Sequence, residues 1–292
     1  MKAPFDPSQA YLKLLKAALS HALYQPASEA PFSGDELKRA DQVLKRVRSR
    51  FAKEIREIKA GTLPATPALV ALLTEFAGQD VARFLRINAP QAHTLLTPDA
   101  LDNIQACARQ VVFFDIPGDF MECGVWRGGA CILMRGLQLA LGASHRQVWV
   151  ADSFQGLPAP DPQKYLLDAV IHEYLKDTGN FCVELDQVRD NFRRYDLLDE
   201  GVRFLPGWFH DTLPGFDGQL ALLRLDGDWY ESTLTALECL YDKVSLGGYI
   251  IIDDYHPVVG AYAAVNEFRA RRQINDPLTQ VNHQLHFWRK LD

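Results

Sequence analysis

The chain has 292 residues, of which 48% are apolar and 23% charged, an ordinary globular composition that excludes a mainly disordered protein. Its net charge of −6 argues against binding to nucleic acid through a basic surface. No apolar run approaches the roughly 18 residues that span a bilayer, and the first residues lack the apolar core of a signal peptide. We therefore predict a cytoplasmic protein with neither nucleic-acid nor membrane partners.

Residues 1–96 are predicted to form a helical extension or lid. Asp6-Pro7 offers a cap and a first-turn proline, and leucines from Leu12 to Leu23 follow at helical spacing. A second amphipathic helix is predicted within residues 37–59, and one of its faces is rich in Lys and Arg. Such a face is typical of a solvated helix surface, and an anionic partner is the alternative.

Residues 97–292 have the pattern of an α/β domain. Short apolar runs alternate with helical segments such as Ala130–Leu141 and Ser232–Val244. This alternation predicts parallel strands in a Rossmann-like sheet with helices on both faces. The predicted strands are Asp119–Cys123, Gln147–Ala151, Val202–Leu205, Leu220–Leu225 and Tyr249–Ile252, followed by two short pieces near Gln280–Val281 and His286–Trp288.

In a sheet of this kind, ligands bind beyond the carboxyl ends of the strands, so the residues that follow each strand are the candidate site. A glycine-rich turn follows the first strand, but its spacing departs from the dinucleotide fingerprint and favours a ligand without phosphates. Asp152 ends the second strand, where an acid commonly accepts both ribose hydroxyls of a nucleoside cofactor; capping the next element is the alternative. Trp208, after the third strand, is predicted to lie on an adenine ring or to fill the core.

The strongest signal comes after the fourth and fifth strands, which end in acidic residues. Asp226 follows one strand, and Asp253 and Asp254 follow the other. Carboxylates that converge at one edge of a sheet repel one another, and a divalent cation relieves the repulsion. Ligation by carboxylate oxygens alone favours Mg²⁺. We expect the remaining acid, Asp228, to cap the helix that begins near Ser232.

Five segments resemble a known family in order and in spacing. They are ECGVWRGG (122–129), DSFQGLP (152–158), PGWFHDTLP (206–214), LDGDWYEST (225–233) and IIIDDY (250–255). Together they closely resemble the macrocin O-methyltransferase family over roughly residues 90–292. The resemblance implies a seven-stranded Rossmann-like sheet and an S-adenosylmethionine- and Mg²⁺-dependent O-methyltransferase. Its acceptor would be a sugar hydroxyl of a glycosylated small molecule such as an antibiotic.

The resemblance also implies roles for individual residues. Asp152 would hold the cofactor's ribose, Trp208 would lie beside the adenine, and Thr94 would face the methionine end. The cradle of the cofactor would be formed by Glu122, Gly124 and Gly128, and the same motifs add Trp126, Ser153, Phe154, Gly156 and Gly207 to the predicted cofactor site. The metal ligands would be Asp226, Asp253 and Asp254. The family also leads us to expect a homo-oligomer.

Asp226 is the predicted general base, because a carboxylate beside Mg²⁺ can remove the proton of the acceptor hydroxyl. His256 and His210 are the competing bases, and we interpret both as ordinary residues at the rim of the site. Two other functions stay open at this point. One is a nicotinamide-dependent oxidoreductase, and the other is a non-catalytic nucleoside-binding module that docks a partner through the basic helix.

Overall fold

The computed structural model describes residues 6–20, 22, 92–161, 165, 168, 169, 172 and 181–291. The predicted basic helix within residues 37–59 lies outside this part of the chain. Among the described residues, no helix is long and apolar enough to cross a membrane.

The described part of the chain contains a seven-stranded sheet in the order β3-β2-β1-β4-β5-β7-β6. Strands β1 to β5 pair in parallel, whereas β7 runs antiparallel to β5 and to β6. The strands are β1 Asp119–Cys123, β2 Val148–Asp152, β3 Val202–Pro206, β4 Leu220–Leu225, β5 Val244–Ile252, β6 Thr279–Gln280 and β7 His286–Arg289. The order reverses between β1 and β4, which in such sheets marks the ligand crevice.

Helices cover both faces of the sheet, because successive strand residues point to opposite sides. Phe120 packs in one buried cluster and its neighbour Met121 in the other. The first face carries α1 Pro7–Leu19, α2 Pro98–Phe113, α3 Gly129–Ala140 and α4 Leu185–Arg194. The second carries α6 Tyr230–Leu240 and α7 Val259–Arg271, with the short α5 Phe209–Thr212 nearby. The predicted fold class is therefore confirmed.

The N-terminal helix begins and packs as its sequence predicts. The Asp6 carboxylate accepts hydrogen bonds from the backbone N–H groups of Ser8 and Gln9, and Pro7 occupies the first turn. Leu15 of α1 is buried against α3, where Gly136 leaves room for its side chain. This first piece of the predicted extension thus contacts a helix that covers the sheet. The domain boundary at residue 96 stays a prediction.

Strand β5 begins earlier than its apolar run indicates. The sequence predicted a helix up to Val244 and a strand from Tyr249, but α6 ends at Leu240 and β5 begins at Val244. Two glycines, at positions 247 and 248, interrupt the apolar pattern inside the strand. The pairing with β4 shifts register across the same stretch, between Leu220 and Leu222.

Candidate active site

The predicted site residues lie at the carboxyl ends of β1 to β5, along one edge of the sheet. The turn after β1 requires glycine at two positions. Gly124 and Gly128 have φ angles of 87° and 83°, in the left-handed region. A Cβ added at Gly124 would also overlap the backbone carbonyl of Asp226. The turn after β1 and the acidic turn after β4 are therefore in direct contact.

The segment that carries Thr94 lies directly against the start of α3. A side chain at Gly129, the first residue of α3, would overlap the His93 carbonyl and the Thr94 side chain. Thr94 is buried, and its hydroxyl accepts a hydrogen bond from the Leu96 N–H at 3.1 Å. Because the N-terminus of a helix attracts negative charge, this corner suits the carboxylate of a cofactor's methionine end.

The Asp152 carboxylate joins the turn after β1 to the turn after β2. One oxygen accepts from the Val125 N–H at 2.7 Å, and the other from the Phe154 N–H at 2.8 Å. Burial raises the pKa of Asp152, and the backbone hydrogen bonds oppose this effect. A carboxylate has further lone pairs, so these contacts leave room for ribose hydroxyls.

The remaining predicted cofactor residues line the same two turns and the turn after β3. Ser153 donates a hydrogen bond from its hydroxyl to the Gly156 carbonyl at 2.9 Å. A Cβ added at Gly156 would lie 3.4 Å from the Cβ of the exposed Cys182. The Gly207 N–H donates to the Asp152 carbonyl at 2.9 Å, and the half-buried Trp208 follows it. The half-buried Trp126 lies in the turn after β1.

Glu122 differs from the other predicted cofactor residues, because its carboxyl group points into the protein. It pairs with Arg224 of β4 and accepts a hydrogen bond from the Cys131 thiol at 2.8 Å. Only 2% of the Glu122 side chain is exposed. Burial raises its pKa, and Arg224 opposes that rise. Its side chain thus supports the end of β1 from inside.

Arg224 is a buried charge that sequence reasoning missed. Besides Glu122, its guanidinium donates to Asp226 at 2.9 Å and to Asp253 at 2.7 Å. Burial lowers the pKa of Arg224, but the three carboxylates outweigh burial and raise it well above its usual value. The signal was available, because Arg224 is the one charged residue in the otherwise apolar run of β4.

Three carboxylates converge in front of Arg224, and they differ from the predicted set in one member. Asp226, Asp228 and Asp254 offer oxygen atoms that all lie within 4.8 Å of one another. Asp253 is adjacent, and its carboxylate accepts a hydrogen bond from Arg224. The three oxygens that converge match the donor type that Mg²⁺ prefers.

Negative charge is crowded in this group. Burial, Asp254 and Glu122 raise the pKa of Asp226 to about 6, against the opposing effect of Arg224. Burial and the carboxylates of Asp254 and Asp226 raise the pKa of Asp228 well above its usual value. A divalent cation would offset this repulsion.

The prediction that Asp228 caps the next helix is wrong. Helix α6 begins at Tyr230, its capping residue is Trp229, and no side chain of that cap accepts a hydrogen bond. The Tyr230 N–H instead donates to Asp168 at 2.9 Å, a residue 62 positions earlier in the chain. Asp228 has a φ angle of 56° and belongs to the acidic group.

The two candidate histidine bases lie in different surroundings. His210 is largely exposed and lies 3.4 Å from Asp211. His256 packs among rings, with centroids 4.8 Å from His286 and 5.5 Å from His283. Burial and His256 lower the pKa of His286 to about 4, so that its ring is neutral at pH 7.

Comparisons with known proteins identify the family of this chain. The model of the macrocin O-methyltransferase (TylF) family matches residues 8–290. The chain belongs to this family. It is therefore an O-methyltransferase of an S-adenosylmethionine-dependent family, which confirms the resemblance described above. Membership decides against the nicotinamide-dependent oxidoreductase and the non-catalytic module.

Two relatives are similar to this chain over more than two thirds of its length. The 8-demethyl-8-(2,3-dimethoxy-alpha-L-rhamnosyl)-tetracenomycin-C 4'-O-methyltransferase of Streptomyces olivaceus is 48% identical over 201 residues, 68% of this chain and 76% of the relative. The mycinamicin III 3''-O-methyltransferase of Micromonospora griseorubida is 42% identical over 226 residues, 76% and 88% of the two chains. The solved structure of the O-methyltransferase NovP aligns with a TM-score of 0.73 and 36% identity, covering 98% of this chain and 100% of that one.

Proposed function

We propose that this O-methyltransferase moves the methyl group of S-adenosylmethionine to a sugar hydroxyl of a glycosylated natural product, with Mg²⁺ at the ends of β4 and β5. The observation that carries the proposal is the group of Asp226, Asp228 and Asp254 in a member of the macrocin O-methyltransferase family. The relatives named above act on a rhamnosyl-tetracenomycin and on mycinamicin III, which supports a glycosylated acceptor.

The predicted cofactor residues would contact three parts of S-adenosylmethionine: its methionine end, its ribose and its adenine. We assign the methionine end to Thr94 and the start of α3, where a helix N-terminus favours a carboxylate. We assign the ribose to Asp152 and the adenine to Trp208, which follow β2 and β3. The glycines at positions 124 and 128 let the backbone turn closely around the ligand.

The acidic residues suit a hard cation. Asp226 and Asp254 belong both to the predicted ligand set and to the group that converges within 4.8 Å, so we assign them as ligands. The third metal ligand is Asp253 according to the sequence motif, and Asp228 according to the distances between the carboxylate oxygens. Bound Mg²⁺ would lower the pKa of a hydroxyl that coordinates it.

Methyl transfer from a sulfonium is an in-line displacement. The acceptor oxygen forms a bond to the methyl carbon while the carbon–sulfur bond breaks, and the electron pair stays on the sulfur as a neutral thioether. The enzyme must therefore align the acceptor oxygen and receive its proton. Alignment of this kind contributes about 7–11 kcal/mol where the geometry is good. A carboxylate at the rim receives the proton.

Two carboxylates compete for that proton. Asp226 is the base predicted from the sequence, but it also accepts a hydrogen bond from Arg224, which lowers its basicity. Asp228 belongs to the same group and is the alternative base, since burial and its acidic neighbours raise its pKa well above the usual value. Single Asn variants of the two residues distinguish these roles.

Calorimetric titration of metal-stripped protein tests the proposal. We expect micromolar binding of S-adenosylmethionine and S-adenosylhomocysteine, no binding of NADH, and a separate Mg²⁺ binding event that Asp254→Asn abolishes. Glycosylated acceptors are then screened with and without Mg²⁺. Binding of NADH alone would overturn the cofactor, and full turnover in chelator would overturn the role of Mg²⁺.

A further inference from the structure

We propose that Gln284 is a positioning residue that fixes the carboxylate of Asp254 for cation binding, an inference that rests on the proposed Mg²⁺ site. Gln284 lies in the turn between β6 and β7, far along the chain from the acidic motifs. Its side-chain amide donates a hydrogen bond to Oδ1 of Asp254 at 3.0 Å.

Gln284 holds this part of the rim twice. Its backbone carbonyl accepts a hydrogen bond from the N–H of Tyr255 at 2.8 Å, directly after Asp254. The side chain of Gln284 therefore binds the side chain of Asp254, and its main chain binds the peptide group that follows Asp254. Two contacts of this kind fix both the position and the rotation of the carboxylate.

Asp254 needs such support because its backbone is strained. Its φ angle is 49°, in the left-handed region, which is unfavourable for a residue with a side chain. Strand β5 has already ended at Ile252, so no sheet ladder holds this residue. Only 5% of Asp254 is exposed, so solvent contributes little to its orientation.

Gln284 is itself anchored to the rest of the fold. Oδ1 of Asn282 accepts from the backbone N–H groups of Gln284 and Leu285, both at 2.8 Å. The Asn282 amide donates to Thr97 at 3.2 Å and to Asp99 at 2.9 Å, at the start of α2. The hydrogen bonds that support Asp254 therefore continue to the start of helix α2.

The chemistry of the donor matters as much as its position. A neutral amide orients a carboxylate without cancelling its charge, so Asp254 keeps its full attraction for a cation. Arg224 holds Asp226 and Asp253 with a positive charge, which competes with a cation. The amide of Gln284 thus holds Asp254 through a donor that leaves the ligand charge intact.

The test compares Mg²⁺ binding to the full-length enzyme and to Gln284→Met, a side chain of similar length that lacks the amide. We expect the Mg²⁺ dissociation constant, measured calorimetrically, to rise about 10- to 100-fold, as is typical when a residue that orients a metal ligand is removed. S-adenosylhomocysteine affinity should stay unchanged. Gln280→Met, at an exposed position of the same hairpin, is the matched control and should bind Mg²⁺ as the wild type does.

Asn282→Ala provides a second variant that leaves Gln284 in place and loosens its anchor. We expect a weaker Mg²⁺ affinity with unchanged S-adenosylhomocysteine binding here too. Wild-type Mg²⁺ affinity in both variants would overturn the positioning role and leave the metal site standing. A wild-type protein that fails to bind Mg²⁺ would overturn the proposed metal site, and the role of Gln284 with it.

Discussion

The two halves of the candidate site are built in different ways. On the cofactor side, the turns after β1, β2 and β3 are held by backbone hydrogen bonds, such as those from Val125 and Phe154 to Asp152. On the acidic side, the turns after β4 and β5 carry carboxylates that raise one another's pKa and crowd around Arg224. The first half is satisfied by the fold alone, whereas the second half holds charge that a cation would balance. Substitutions in the two halves should therefore fail in different assays.

The largest effect is expected from Asp226→Asn. Losing a metal ligand and candidate base should lower kcat by about 10²–10⁴-fold, while S-adenosylmethionine affinity changes by less than about tenfold. Single-turnover assays and calorimetry measure the two quantities. Asp217→Asn removes an exposed acid and serves as the control.

Asp228→Asn tests whether Asp228 acts as the base or as a metal ligand. If Asp228 is the base, the variant keeps its Mg²⁺ affinity and loses turnover; if it is a ligand, both fall together. A collapse of cofactor affinity in folded Asp226→Asn would contradict the role assigned to Asp226.

Arg224→Met should lower the free energy of unfolding. The substitution leaves Glu122, Asp226 and Asp253 without their shared counter-charge, and only 1% of the Arg224 side chain is exposed. Leaving buried charge unpaired costs about 3–5 kcal/mol. Urea unfolding should show this loss, with a smaller loss for Arg224→Lys. A change below about 1 kcal/mol, similar to that of a substitution at the exposed Arg203, would show that the network stabilises little.

Asp168 makes the stability of the folded protein depend on pH. Its carboxylate lies against the first residues of α6 and α7, and burial raises its pKa from 3.8 to about 6. The folded state therefore binds this proton more tightly, so the stabilisation is present below pH 4 and is lost as pH rises through 6. Since one pKa unit corresponds to about 1.4 kcal/mol, the change is about 3 kcal/mol.

Asp168→Asn removes this titration. Relative to the variant, the wild-type unfolding free energy should fall by about 3 kcal/mol between roughly pH 4 and pH 7, measured by urea unfolding at several pH values. The exposed Asp217→Asn should give a flat difference. A flat difference for Asp168→Asn as well would contradict the raised pKa.

Asp152→Asn should be the mildest change and should appear on the cofactor side. An amide nitrogen would face one of the two backbone N–H donors, which leaves a buried donor unsatisfied at about 1–3 kcal/mol. We expect S-adenosylmethionine affinity to fall about 10- to 100-fold, with Mg²⁺ affinity retained. The exposed Glu200→Gln is the control. Unaltered cofactor affinity would mean that Asp152 shapes the turn without touching the ribose.

The fold was predictable where local patterns decide it. Apolar runs located the strands, and Leu220–Leu225 agrees at both ends. The cap of α6 was not predictable, because the Tyr230 N–H donates its hydrogen bond to Asp168, which is remote in sequence. Asp228 lies just before that helix and Ser232 lies within its first turn, and the two offered a misleading local signal. Local reasoning fails wherever a distant segment supplies the partner.

The candidate site divides in the same way. Strand ends and residue types pointed to the acids after β4 and β5, since parallel strands bring their carboxyl ends together. Which acids converge depends on side-chain direction: Asp253 turns to Arg224, while Asp254 joins Asp226. Gln284 gave no signal, because a single glutamine in a hairpin turn has no pattern around it.

The cysteines of this fold differ sharply in reactivity. Only a thiolate is nucleophilic, so burial that raises a thiol pKa makes it inert. Burial raises the pKa of Cys107 to about 12, and it raises those of Cys123 and Cys131 well above the usual value. Cys239 is half-buried, and its pKa is also raised by burial.

Cys182 alone among the five cysteines is exposed, and it lies across from Gly156 in the turn after β2. A maleimide fluorophore should therefore attach at this one position without mutagenesis. The dye would stand beside the proposed ribose pocket, so its emission would report cofactor arrival in real time. The native chain thus carries its own attachment point for an optical sensor.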